Sequence, residues 1–94
     1  MNKTLFEEVE YYLAVHYNYL EIRLVKELKT KYKIELNFVD SRDIVMKTEI
    51  DKSLIDKSLQ QNKIKEYCEF LDDTYYAYYK LQKLIMKGRD VNGK

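Results

Sequence analysis

His16 and Cys68, the one histidine and the one cysteine, are the chain's only pairing of an imidazole base with a strong nucleophile. An imidazole activates a thiol only when the two side chains come within hydrogen-bond reach. They stand far apart in sequence, and each falls within an apolar stretch: His16 between Leu13 and Leu20, Cys68 between Ile64 and Leu71. His16 is therefore read as a buried or half-buried histidine, and Cys68 as a small core residue. No set of His, Cys and carboxylate residues has metal-ligand spacing. Glu7, Glu8 and Glu10 occupy the first turns of an expected helix, where the helix dipole favours acids without any metal. Residues 1–87 contain no glycine, so no glycine-rich loop exists to cradle a phosphate. The expectation is a non-enzyme: no catalytic residue, no cofactor, no metal and no small-molecule substrate.

Binding chemistry is better represented. The stretch "DDTYYAYYKLQKLI", Asp72 to Ile85, sets four tyrosines around one alanine. On a helical wheel Ile64, Cys68, Leu71, Tyr75, Tyr78 and Ile85 share one face, with Tyr67, Tyr79 and Met86 flanking it. That stripe is read as core, with hydroxyls at its wet margin. Tyr76 points toward the polar side, and Phe70, Leu81 and Leu84 widen the apolar arc. Tyr11, Val15, Tyr19 and Ile22 form a second apolar set near the N-terminus. These eight residues, Tyr11, Val15, Tyr19, Ile22, Phe70, Tyr76, Leu81 and Leu84, are the expected contacts with a protein partner, a second copy of the chain, or both.

The alternative is a nucleic-acid-binding accessory protein or transcriptional regulator. It would use Lys26, Lys29 and Lys33 at the end of the first helix and Lys80, Lys83 and Lys87 near the end of the last. A formal net charge of +1 gives no global attraction to phosphate or to an anionic membrane, so this reading ranks second.

The elements expected to carry these residues are helical. Proline is absent and both glycines lie at Gly88 and Gly93, so the strongest chain breakers are missing from residues 1–87. "TLFE" at Thr4–Glu7 is a capping box. From there Phe6, Val9, Leu13, Leu20, Leu24 and Leu28 trace one face of a helix over about 4–32, with His16 and Tyr17 bridging the gap after Leu13. A second long helix is expected over about 49–87, with Thr48 as its cap, a restart near Ser58 and Gly88 as terminator. Its tandem pentapeptide "IDKSLIDKSL" is read as helix with contacts on two sides. Residues 33–48 alternate Ile34, Leu36, Phe38 and Ile44, Met46, Thr48, the period of a strand. A helical or irregular connection is favoured there over a short β-hairpin, because a tight hairpin usually wants glycine. The expected fold is thus all-α: one small helical domain over 1–94, a helical hairpin or bundle with a flexible tail at 88–94. With two apolar sides on each helix, a two-fold four-helix arrangement is the simplest assembly.

Composition agrees with a folded domain, at 46% hydrophobic and 35% charged residues. No run is long enough for a membrane span, and acids interrupt the N-terminus where a signal peptide would be apolar. A lone cysteine fits a reducing cytoplasm. Lysine well above arginine, with plentiful Asn, Ile and Tyr, suits an AT-rich genome such as that of a low-GC bacterium or its phages. The functional expectation is a small interaction module of phage or mobile-element type that inhibits or regulates a host protein.

Overall fold

A capping box opens the first helix. Thr4 Oγ1 accepts from the Glu7 amide at 3.1 Å, and the Glu7 carboxylate accepts from the Thr4 amide at 2.8 Å. The computed structural model describes residues 3–92. Helix α1 (Leu5–His16) is followed by strands β1 (Leu20–Glu27), β2 (Lys31–Phe38) and β3 (Ser41–Asp51), then helices α2 (Lys52–Gln60) and α3 (Ile64–Asn92). The strands form an antiparallel meander in the order β1-β2-β3.

The two faces of the sheet differ because side chains alternate along each strand. Ile22, Leu36 and Met46 stand in one row across the sheet, beside Leu20, Tyr32, Ile34 and Ile50, and all are buried. Phe6, Val9 and Leu13 of α1, Ile55 of α2, and Cys68, Leu71 and Tyr75 of α3 close over that face. The opposite face carries Glu21, Arg23, Lys33, Glu35, Lys47 and Glu49. Arg23 pairs with Glu35, Arg42 with Glu21 at 3.2 Å, and Lys31 with Glu49 at 3.6 Å. An antiparallel sheet covered on one side and wet on the other is the usual outcome of such alternation.

The all-α expectation of two long helices is corrected. Residues read as helix over 4–32 form α1 and then β1, which pairs with β2 from Leu20↔Phe38 to Glu27↔Tyr32. The physical reason is that Leu20, Ile22 and Leu24 satisfy a period of two as well as the four-residue spacing of a helix. The unfilled gap after Leu13 is where α1 ends, the Tyr17 amide donating back to the Leu13 carbonyl at 2.8 Å. Residues 33–48, for which a helical or irregular connection was favoured, lie in β2 and β3 around a two-residue turn at Val39–Asp40. Among the described residues the one non-glycine with positive φ is Asn62, so this turn is not of the primed, glycine-seeking type. A register shift between Leu36 and Phe38 accommodates it. The sheet also removes the four-helix assembly.

The second long helix divides as well. β3 runs through Asp51, which caps α2 by accepting from the Ser53 amide at 2.9 Å, so the cap is Asp51 and not Thr48. Asn62, at φ 56°, turns the chain from α2 into α3, a conformation asparagine tolerates better than most residues. Helix α3 then passes through Gly88, expected as its terminator, and ends at Asn92. Residues 93 and 94 of the expected tail lie outside the described residues. At 29 residues α3 is about 43 Å long, and it dominates a molecule of 55 × 27 × 20 Å.

Candidate protein-interaction surface

The outer flank of α3 is built by a spacing, not by a loop. Phe70, Thr74, Ala77, Leu81 and Leu84 recur at alternating intervals of four and three, which keeps them on one side of a helix. Cys68, Leu71 and Tyr75 turn the other side into the core, so the flank is forced outward. Phe70, Leu81 and Leu84 are 62%, 54% and 67% exposed. Lys83 pairs with Asp43 beside the β2–β3 turn at 3.4 Å, and Leu84, Ile85 and Met86 follow, all exposed. At its other end the flank opens into a groove lined by Met46 and Ile50 of β3, Leu54 of α2, and Tyr67, Phe70 and Thr74 of α3.

A second feature is an aromatic recess between β1, β2 and α3, lined by Tyr19, Phe38, Asp72 and Tyr76. The Tyr19 phenol donates to Asp72 Oδ1 at 3.0 Å. Partial burial, then the hydrogen bond to Asp72, pushes the Tyr19 pKa up to about 12. Behind the recess Phe38 stands edge-on to Tyr75 and Tyr79 at 4.9 and 4.8 Å. Lys80 and Lys83 lie over the rings of Tyr76 and Tyr79 at 4.7 and 5.4 Å.

The residues expected to bind a partner are thus redistributed. Phe70, Leu81 and Leu84 share the α3 flank, while Tyr19 and Tyr76, remote in sequence, meet in the recess. Tyr11 and Val15 are exposed on α1, with Lys3 lying over the Tyr11 ring at 3.6 Å. Ile22 is 7% exposed and belongs to the core, since it shares a sheet row with Leu36 and Met46. Leu54, Thr74 and Ala77 were not singled out from sequence. The spacing of Thr74 and Ala77 was readable, but Leu54 reaches the groove only through the α2–α3 turn.

The lysine clusters do not merge. Lys26, Lys29 and Lys33 sit at the β1–β2 end of the sheet, whereas Lys80, Lys83 and Lys87 lie on α3 toward and past the β2–β3 end. An eight-residue strand, about 25 Å, separates those ends. Glu27 adjoins Lys26 in the chain and Glu49 stands opposite Lys33 in the sheet, while Asp43 pairs with Lys83. No single basic track results.

His16 is exposed and stacks on Tyr12 at 4.2 Å, not buried as expected. Cys68 is fully buried, and burial pushes its thiol up to about 12, so the thiolate that nucleophilic chemistry needs is scarce. Among the described residues no group of three or more His, Cys, Asp and Glu side chains is placed to hold a metal ion, and no helix is long and apolar enough to cross a membrane. Comparison with family models, with curated proteins and with solved structures finds no match to this chain.

Proposed function

We propose that the chain is a protein–protein interaction module without catalytic activity of its own, docking through the outer flank of α3. The observation that carries this reading is the exposure of Phe70, Leu81 and Leu84 in one line along a helix whose other side packs Cys68, Leu71 and Tyr75 into the core. Each such side chain taken from water contributes roughly 1.5–3 kcal/mol, so an uncovered line of them is costly in a domain this small. An apolar line at helical spacing is also the pattern by which a helix seats against a partner helix or groove.

A photo-crosslinking residue at position 84, with position 35 on the wet sheet face as control, tests the reading in cells expressing the chain. The expected result is a discrete crosslinked product at 84 and none at 35. Equal labelling at both positions, or none at either, removes the α3 flank as a docking surface.

A further inference from the structure

We infer that the occupant of the α3 flank is a second copy of this chain, its α3 lying antiparallel on the first about a two-fold axis. This rests on the docking reading above and adds the partner, the direction and the register.

The size pattern is the first support. Tyr67, Phe70, Thr74, Ala77, Leu81 and Leu84 alternate three and four apart, as the a and d positions of a heptad seam do. Their sizes run large, large, small, small, large, large. Such a stripe reads the same in both directions, which is what an isologous contact demands. With the axis passing between Thr74 and Ala77, Tyr67 meets Leu84 of the partner subunit, Phe70 meets Leu81 of the partner subunit, and Thr74 meets Ala77 of the partner subunit. The small pairs let the helices approach closely at the centre, and the large pairs fill both ends.

Charge decides the direction. Asp73 and Lys80 are both exposed and flank the seam on its polar side, where residues seven apart share one side of a helix. In the antiparallel register Asp73 stands about 3 Å along the axis from direct opposition to Lys80 of the partner subunit, and the symmetry makes the pair twice. A parallel seam would instead place Asp73 beside Tyr78 and Lys80 beside Ile85 of the other copy, leaving both charges on apolar neighbours. The antiparallel arrangement also accounts for the exposed end of α3. Leu84 to Lys87 come to lie beside the first turn of the partner's helix.

Light scattering on the full chain across a concentration series is the test, with charge-swap variants and one distance measurement. The wild type is expected at twice the chain mass and to dissociate on dilution. Asp73→Lys and Lys80→Asp should each weaken the dimer about tenfold, because two symmetric attractions become repulsions. The double variant Asp73→Lys/Lys80→Asp should recover most of that loss. Leu81→Glu should give a monomer with an unchanged circular dichroism spectrum. Spin labels at Lys87→Cys should lie about 35 Å apart in the antiparallel dimer and close together in a parallel one. A single-chain mass at every concentration overturns the inference, and so do a dimer indifferent to the charge swaps or a short label separation. A monomer that still crosslinks to a heavier product from position 84 refutes the second copy while sparing the docking reading. Loss of that crosslink removes both.

Discussion

The phenol of Tyr75 donates a 2.7 Å hydrogen bond to the backbone carbonyl of Ile44, joining the middle of α3 to β3 across the core. Ile44 lies between the Leu36↔Met46 and Phe38↔Ser41 pairs, where the ladder between β2 and β3 breaks register. The tyrosine hydroxyl therefore serves a carbonyl in a stretch where strand pairing is interrupted. Tyr75 is fully buried, so the bond has little competition from water. Tyr75→Phe keeps the ring packing and removes the donor. It should cost about 1–3 kcal/mol in urea unfolding, at an unchanged m-value. A loss below about 0.5 kcal/mol would show that the Ile44 carbonyl finds another partner.

At the other end of the chain, Thr4 and Glu7 satisfy each other's amides. Thr4→Ala should destabilise the fold by about 1 kcal/mol, and Thr4→Ser should restore most of it, because the cap needs the hydroxyl and not the methyl. Parallel thermal melts of the two variants separate the cap from any packing of the Thr4 methyl.

This cap was legible in the sequence, as were the Phe6, Val9, Leu13 face and the Cys68, Leu71, Tyr75 stripe, because each depends on neighbours within a turn or two. The sheet was not. Leu20, Leu24 and Leu28 recur every four residues, yet Leu20, Ile22 and Leu24 recur every two, and only pairing with β2 decides between the periods. The lack of glycine does not exclude a hairpin either, since the Val39–Asp40 turn dispenses with positive φ. The consequence for the site was direct. Ile22 was placed on an outer helix face, whereas strand alternation sends it inward beside Leu36. Phe70, Leu81 and Leu84 kept a common flank because their helix was real. The meeting of Tyr19 with Tyr76 had no local signal, as it depends on how β1 and α3 cross.

Acid should act on the junction between β3 and α2. Hydrogen bonds from the Ser53 hydroxyl, and then from the Ser53 amide, hold the Asp51 carboxyl below the ordinary aspartate value of 3.8. A depressed native pKa means the unfolded chain takes up the proton first. The stability from this cap is therefore fully present above pH 3.8 and is lost as pH falls below it toward the native value. Asp43 adds to the same limb, its carboxyl lowered chiefly by the Ser41 hydroxyl. Asp51→Asn retains a good capping residue that does not titrate. Its unfolding free energy should fall less steeply with acid than that of the wild type, and an identical slope would show that Asp51 is not the titrating group.

Cys68 offers a test of core integrity. Its thiol is fully buried and raised to about 12 by that burial. A thiol-specific reagent at neutral pH should label it at the rate of global opening, rising in parallel with the unfolded fraction as urea is added. Fast labelling in the absence of denaturant would mean that α3 leaves the sheet without global unfolding.

The wet face of the sheet carries a row of charge. Glu35 on the central strand stands in register opposite Arg23 on β1 and Lys47 on β3, so one acid lies between two bases in a row across three strands. It forms an ion pair with Arg23, whose guanidinium is raised above its ordinary pKa chiefly by that hydrogen bond. Because Arg23 is largely exposed and solvent screens the pair, neutralising the acid with Glu35→Gln should cost little stability. Glu35→Lys is different in kind. It places three like charges in one cross-strand row, where direct opposition is unfavourable, and should cost more than the glutamine variant. The difference between the two variants should shrink as salt is raised, since exposed charges are screened over about 10 Å at 0.1 M. Urea unfolding at low and high salt reads this directly. A lysine variant that is as stable as the glutamine one at low salt would show that the row does not hold its charges in opposition.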